Sequence, residues 1–426
     1  MVHRPRGAAT LRQLVVASHT VVPMQLYIRE SVAASAPSLV DAARVLLPTY
    51  VVSDDMLVDV VCQSSPAGVT TFHDAEVTST DEIARRCGLP GPSDVPFPWD
   101  KLHQREALRR AGSQVKCRAV DSPVALHSAV ESLGLPAVLK PRCSDSSTGV
   151  AFLHTPVDVA VQVSTRTAWG DLVLETMIPS GAHPSQVPTL ADYVSVETVS
   201  IGTSRTHVAI VDKLPIAVAS DPGPVAVRET GILYPSRVPG EQSAAVFECV
   251  QRSLDALGVR DRITHTEVKV SDAAVEAIEV NGRLGGDIAR MFAMRGGPDM
   301  IAIALLLALG RSPDVPTHFA QASRAAACLY VPFGRRHGFV RSHVDVRQLR
   351  TLPDVKAVDE VAVHGAPLSD SGFRTAKFAI ESPSLDRLDR SIQAALDATA
   401  SYFAADGMDN EPWLTAMRAR AAQAVA

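Results

Sequence analysis

Three features of this sequence predict an α/β chain of more than one domain. Strand-like and helix-like stretches alternate through the first third, residues near the middle read as β-hairpins, and the last quarter mixes strands with one long amphipathic helix. The 426 residues are long enough for two or three separate cores. With 46% hydrophobic and 20% charged residues the composition is that of a globular protein, not a disordered one. A formal net charge of −5 argues against a mainly electrostatic nucleic-acid binder.

In chain order, residues 11–18 and 49–53 read as parallel strands, with a helical pattern over Ser38–Leu47 between them, as in a nucleotide-binding-type first domain. Asp81–Cys87 reads as a helix stopped by Gly88, and Gly91–Pro98 as a turn-rich link. Asp100 is placed to cap a helix over Lys101–Ala111, ended by Gly112. The alternation continues through a strand at Ala119, a helix over Pro123–Leu133, and strands over Pro136–Lys140, 150–154 and 171–175. A Pro/Gly/Ser-rich loop covers 178–192. Val194–Ile201 and Thr206–Leu214 form a hairpin turning at Gly202, and Gln242–Leu257 reads as an amphipathic helix. A second hairpin follows, Thr264–Val270 with Val275–Asn281, and Met300–Leu309 reads as a buried helix. Ala326–Val331 and Ala357–Val363 are strand-rich, Asp386–Ala400 is a helix, and an acidic break at Asp406–Glu411 precedes a small terminal helix.

No secretory signal stands out and no apolar run is long enough to span a bilayer, so a cytoplasmic protein without a membrane is expected. The six cysteines show no paired spacing, which predicts reduced thiols rather than disulfides or a zinc cluster. Cys143 reads as a small loop residue, not a nucleophile.

The second hairpin carries the strongest chemical signal. Side chains two apart on a strand share a face. His265 therefore faces with Glu267, and Glu279 with Asn281; a turn centred on Ala273 sets Glu267 opposite Glu279. Two carboxylates and an amide oxygen suit a Mg²⁺ ion held between protein and phosphate, with Arg283 just past the strand end. The competing reading is a solvated hairpin face. Earlier, proline after Lys140 keeps that residue extended, which presents its ammonium at a strand tip. The hydroxyl-rich loop 143–150 follows and is able to wrap phosphate oxygens, although it has no Walker spacing. Strand 172–175 runs into Thr176, Met177 and Ile178, an extended link whose backbone can meet a purine edge; a plain core strand is the alternative.

Taken in order, these elements resemble the ATP-grasp superfamily, and within it the carboxylate–amine ligases. The matching residues are Asp100-Lys101 with Arg105, Val138-Leu-Lys140-Pro-Arg142, Ser146-Ser-Thr-Gly149, Leu174-Glu175, Ser195-Val-Glu197, His265-x-Glu267, and Glu279-Val-Asn281-Gly-Arg283-Leu-Gly-Gly-Asp287. The last of these, with the His-x-Glu pair, is similar to the branch that contains bacterial dipeptide-forming ligases. The resemblance covers about residues 75–310. It implies an ATP-grasp fold with an N-terminal Rossmann-like domain (1–112), a lid subdomain (113–193), a catalytic core (194–312) and a C-terminal α+β subdomain (313–426).

The resemblance also implies roles. Lys101 and Lys140 would bind ATP phosphates under a lid of Ser144, Ser146, Ser147, Thr148 and Gly149. Glu175, Thr176, Met177 and Ile178 would hold adenine, with Asp192 the candidate for ribose. Glu267, Glu279 and Asn281 would hold Mg²⁺, or Mn²⁺ in its place, and Arg283 would be catalytic. Glu229, His265, Gly285 and Gly286 would lie near the substrates, and Lys213 either approaches phosphate or caps a strand. The family usually has Asn-Pro-Arg where this chain has Asn281-Gly282-Arg283, and its lid is usually richer in glycine. The activity implied is ATP-dependent joining of a small carboxylate to an amine through an acyl phosphate, in a protein compatible with a homodimer and without nucleic-acid partners. A carboxylating or formate-using relative, and a nucleotide-binding regulator without turnover, are the alternatives.

Overall fold

A computed structural model describes residues 1–91, 97–144, 147–219, 226–271, 274–316, 324–332, 338–366 and 374–403. Its backbone is an eight-stranded antiparallel sheet in the order Ala274–Asn281, Arg262–Ser271, Tyr193–Ile201, Ser204–Lys213, Gly231–Tyr234, Ala325–Pro332, Arg374–Ser382, Val355–Asp359. The sheet thus takes strands from both sides of residue 313. A four-stranded antiparallel sheet, in the order Cys117–Val120, Leu172–Thr176, Ala137–Pro141, Ala151–Leu153, has its own core around Leu139, Leu153 and Leu174.

The N-terminal segment departs from expectation. Residues 11–18 are not a strand: Leu11–Thr20 is a helix. Thr10 and Gln13 form a reciprocal cap at its start, and Leu14 and Ala17, one turn apart, are buried while Val16 is exposed. A run this short and apolar suits either element, and the cap decides. The parallel strands are instead Leu26–Arg29 and Thr49–Val52, with the expected helix (Pro37–Leu46) between them. The thiol expectation also fails for one pair, because the helices Leu57–Gln63 and Asp74–Cys87 pack together and join Cys62 to Cys87 in a disulfide. Cys117, Cys249 and Cys328 are free and buried, and Cys143 is free and exposed in its loop.

Most of the remaining elements follow their local chemistry. Gly88, at φ 64°, ends the helix Asp74–Cys87 in the left-handed conformation that glycine adopts without strain. Asp100 caps Lys101–Arg110 by accepting from the Leu102 N–H. Gly202, at φ 56°, turns the first hairpin, and its N–H donates to Asp261. The strand expected over 357–363 is Val355–Asp359, and the last helix is Leu385–Phe403. The acidic break and terminal helix expected after it lie outside the described residues. Among the described residues, no helix is long and apolar enough to cross a membrane.

The two sheets are joined by the helix Lys101–Arg110. The strand Ala274–Asn281 is the outer edge of the large sheet, and an unpaired strand edge exposes backbone donors and acceptors. Gln104 satisfies both groups of Val280: its Nε2 donates to the Val280 carbonyl (2.9 Å) and its Oε1 accepts from the Val280 N–H (3.1 Å). Arg105 donates to the carbonyls of Ala277 (3.0 Å) and Ile278 (2.8 Å). This edge cover brings Lys101 alongside Glu279.

Candidate active site

The expected opposition is present but is not made by a turn centred on Ala273: Ser271 pairs with Ala274, a register that would set Glu267 opposite Ile278, and a bulge corrects it. Glu267 pairs directly with Glu279 and His265 with Asn281, and a bulge after Glu267 shifts the remainder. The Asn281 amide donates to Glu279 (3.3 Å). One strand further in, Glu197 lies opposite His265 and accepts a hydrogen bond from its Nδ1. Glu197 is fully buried, and its second oxygen accepts from the Gly285 N–H (3.1 Å).

Cations surround these acids. Lys213 is buried; its ammonium pairs with Glu229 and lies 3.6 Å from Glu267. His265 Nε2 is 3.7 Å from Glu267. Burial alone would favour neutral His265, but the Glu197 carboxylate outweighs it and holds the imidazole up at about 9. Burial likewise opposes ionised Glu267, yet Lys213 and His265 bring its carboxyl down to about 2. Lys213, read from sequence as approaching phosphate or capping a strand, instead has its ammonium taken up by Glu229 and Glu267.

Lys101, Gln104, Arg105, Lys140, Glu175 and Glu279 meet between this hairpin and the small sheet in a crevice too tight to admit a water molecule. Lys101 donates to the Ser144 carbonyl (2.6 Å) and stands 3.6 Å from Glu279. Lys140 pairs with Glu175 at 2.9 Å, and Arg105 approaches the same oxygen at 3.3 Å. Burial would raise the Glu175 carboxyl, but Arg105 and Lys140 overcome it and hold the group below the ordinary range. Arg142 chelates Asp100, while the Lys101 N–H donates to the Arg142 carbonyl (2.9 Å), which fixes the lysine-bearing helix to the start of the loop. In that loop Ser147 and Gly149 have φ of 55° and 75°, Thr148 lies between them, and Ser146 lies outside the described residues.

Other predicted residues are placed with unforeseen partners. The N–H groups of Thr176 and Met177 donate to the carbonyls of Lys116 and Pro136, so those two donors are taken, and a purine edge is left the Ile178 end of the link. Asp192 is buried; it pairs with Lys269 (2.7 Å) and accepts from the Gly181 N–H (3.1 Å), pinning the 178–192 loop to the large sheet. Arg283 is paired with Asp74, which the sequence reading did not single out. Gly285 is required sterically: a Cβ there would lie 2.3 Å from His265 Nδ1 and 2.8 Å from a Glu197 oxygen. A Cβ at Gly286 would meet no atom within 4 Å. Glycine rather than proline at 282 also has a cause, because a Cβ would come within 2.7 Å of Arg262 Nη1 and 2.9 Å of the Phe97 ring.

This layout decides the fold. It is ATP-grasp. The structure superposes on an L-amino acid ligase from Bacillus licheniformis with a TM-score of 0.70 over 93% of this chain and 96% of that one, at 18% identity. It also superposes on an N5-carboxyaminoimidazole synthase from Aspergillus clavatus, solved with ADP and 5-aminoimidazole ribonucleotide, with a TM-score of 0.66 over 94% and 98% at 15% identity. At such identities the likeness speaks for the ATP-grasp fold alone.

Sequence comparison adds distant homology to carboxylate–amine ligases. The chain is 29% identical to carnosine synthase 1 of Gallus gallus over 298 residues, 63% of this chain and 30% of that protein. It is 25% identical to the alanine–anticapsin ligase of Bacillus subtilis strain 168 over 276 residues, 58% of this chain and 55% of that one. The matches therefore span about a third and about half of those relatives. No protein-family model matches the chain.

Proposed function

We propose that this ATP-grasp protein is an ATP-dependent ligase that joins an amino acid or related small carboxylate to an amine through an acyl phosphate. The observation that carries the reading is the pairing of Glu267 with Glu279 beside the crevice of Lys101, Lys140 and Glu175. Lys101 stands 3.6 Å from Glu279, so a cation suited to phosphate neighbours an oxygen suited to a metal ion, which supports the reading. Homology to two amino-acid ligases, distant as it is, favours an amine as the final acceptor.

The donor set fits a divalent ion of the hard class. Glu267 and Glu279 are partly exposed carboxylates on one face with the Asn281 amide beside them, and oxygen-only coordination shared with phosphate is how Mg²⁺ is usually held. Among the described residues, no group of three or more His, Cys, Asp and Glu could hold a metal ion by itself. Glu267, Glu279 and Asn281 would hold Mg²⁺, or Mn²⁺, which when bound neutralises phosphate charge. Lys101 and Lys140 would bind phosphate oxygens, and the loop from Ser144 to Gly149 would exclude water from the acyl phosphate. Glu175 and the Ile178 end of its link would border adenine. Asp192 reaches a ribose hydroxyl only by sharing its carboxylate with Lys269.

Attack of a carboxylate oxygen on the γ-phosphorus of ATP breaks the bond to the β-phosphate, releases ADP and turns a poor electrophile into a mixed anhydride with phosphate as leaving group. The neutral amine then adds to give a tetrahedral oxyanion, which collapses with loss of phosphate while the nitrogen gives up a proton to phosphate or solvent. The protein's part is positioning and charge stabilisation. Arg283 would meet the developing charge, and Glu229 and the Gly285–Gly286 turn would border the reacting groups.

A phosphate-release screen over pairs of amino acids and amines, with product masses, tests the proposal. A product whose mass is the sum of the pair less water is expected. Release stimulated by bicarbonate or formate, with no such product, would favour a carboxylating or formate-using enzyme like the structurally similar synthase. Nucleotide binding without release across the panel would point to a regulator.

A further inference from the structure

The side chain that holds Arg283 comes from the far end of the chain. Asp74 is the first residue of the helix Asp74–Cys87 and is only 3% exposed. A carboxylate at a helix N-terminus is stabilised as an anion by the helix dipole. One of its oxygens accepts from both Nε (3.0 Å) and Nη2 of Arg283, while Nη1 donates to the Leu284 carbonyl (2.8 Å). A guanidinium carries five N–H groups in one fixed plane. These contacts account for three of them and leave one on each terminal nitrogen. Glu197, Glu267 and Glu279 on the large sheet also act on the Arg283 charge.

The helix bearing Asp74 is itself held on two sides. Glu76, with a fully buried side chain, pairs with Arg29 (3.0 Å) and Arg4 (3.4 Å). Asp81 accepts from Arg262 (2.6 Å) on the large sheet and from the Phe97 N–H (2.8 Å). The N-terminal segment is thus fixed to the sheet at one point and to Arg283 at another.

We propose that Asp74 is the positioning residue for Arg283: it fixes the plane of the guanidinium so that two N–H groups face the reacting carbonyl and phosphate oxygens. The N-terminal segment thereby becomes part of the chemical site. Asp74 does not touch substrate; it acts through Arg283. The inference rests on the ligase reading for what Arg283 does, not for how it is held.

Two measurements on the full chain test it. With the substrate pair found by the screen, Asp74→Asn is expected to lower kcat by roughly 10- to 100-fold, the scale of a small misplacement of a reacting group, with KM for ATP unchanged. Asp74→Glu should recover part of the loss. In the Arg283→Lys background, Asp74→Asn should cost almost nothing further, because two residues that act as a unit are not additive. Additive losses would overturn the proposal and leave Asp74 a fold-stabilising residue. Independently of turnover, ¹⁵N-arginine labelling should show a slowly exchanging Nε–H signal, assigned by its absence in Arg283→Lys. Asp74→Asn should shift that signal and speed its exchange. An unchanged signal overturns the proposal even if turnover falls. A signal that responds as expected while no substrate pair turns over sustains the positioning role and counts against the ligase reading.

Discussion

The two walls of the cleft hold their charges differently. On the large sheet, Glu197, His265, Glu267, Glu279 and Asn281 occupy neighbouring registers of three adjacent strands, and their counter-charges Lys213 and Arg283 come from elements on either side. Strand pairing fixes the three acids, His265 and Asn281, whereas Arg283 is held by Asp74. On the small sheet, Lys140 stands near the end of a strand with Glu175 beside it, backed by Arg105 from a helix. That wall depends on one ion pair, and a nucleotide phosphate would have to draw Lys140 away from Glu175. Under the proposed function, the large sheet would govern the chemical step and the small sheet nucleotide binding.

Arg283→Lys should break the first wall with the largest effect. Lysine keeps the charge but loses the planar fork that Asp74 and the Leu284 carbonyl orient. A fall in kcat of roughly 10²- to 10³-fold is expected, the size seen when an oxyanion donor is lost, with ATP binding retained. Single-turnover ADP formation measures it; near-normal turnover removes Arg283 from the mechanism.

Next comes Glu279→Gln. Loss of one carboxylate should raise the Mg²⁺ concentration needed for half-maximal rate by at least about tenfold, since even groups behind the ligands cost that much. A Mg²⁺ titration of ADP release reads the shift, and unchanged metal dependence would dismantle the proposed ion site. On the other wall, Lys140→Ala should act on the affinity for ATP rather than on kcat. Loss of a charge-assisted contact worth about 1.5–3 kcal/mol corresponds to a rise in KM for ATP of roughly 10-fold or more. A loss confined to kcat would erase the division between the two walls.

The sequence showed one wall better than the other, for a physical reason. Period-2 alternation is local and sets His265 with Glu267 and Glu279 with Asn281 on shared faces, but the opposition of Glu267 and Glu279 is completed by a bulge between Glu267 and Val268 that the local pattern does not announce. The ladder beyond the hairpin was less legible. Glu197 appeared in a matching motif, but its bonds to His265 and to Gly285, 68 and 88 residues away, belong to tertiary register. Asp74 lies 209 residues from Arg283, and no periodicity announces such a pair. Residues 11–18 show a related limit: their apolar run suits either element, and only the Thr10–Gln13 cap decides for a helix. The strand leading to Glu175 is legible locally, but the Thr176 and Met177 N–H groups donate to the carbonyls of Lys116 and Pro136, 60 and 41 residues away, which no local pattern shows. Proline at 282 would have clashed with Phe97 and Arg262, a constraint that no local pattern carries.

The smallest effect expected on turnover belongs to a charge outside the cleft, and it sharpens the comparison by contrast. Asp354 accepts from Arg387 Nε (2.8 Å) and Nη2 (2.9 Å) and from the hydroxyls of Ser382 (2.6 Å) and Ser391 (2.9 Å). Desolvation works against its charge, but Arg387 and the two hydroxyls bring the carboxyl down to about 2. An unfolded aspartate titrates near ~3.9, so the folded state holds its proton less tightly than the unfolded one. Stability from this group is therefore complete above about pH 4 and lost as the pH falls towards 2. Asp354→Asn should lower Tm at pH 7, and the gap to the parent protein should close between about pH 4 and pH 2. Turnover at pH 7, measured well below the melting range, should stay within about twofold of the parent, as is usual for substitutions remote from a site. A Tm gap that persists at pH 2 would mean that the shape of the carboxylate, rather than its charge, holds the helix Leu385–Phe403 to the strand Arg374–Ser382.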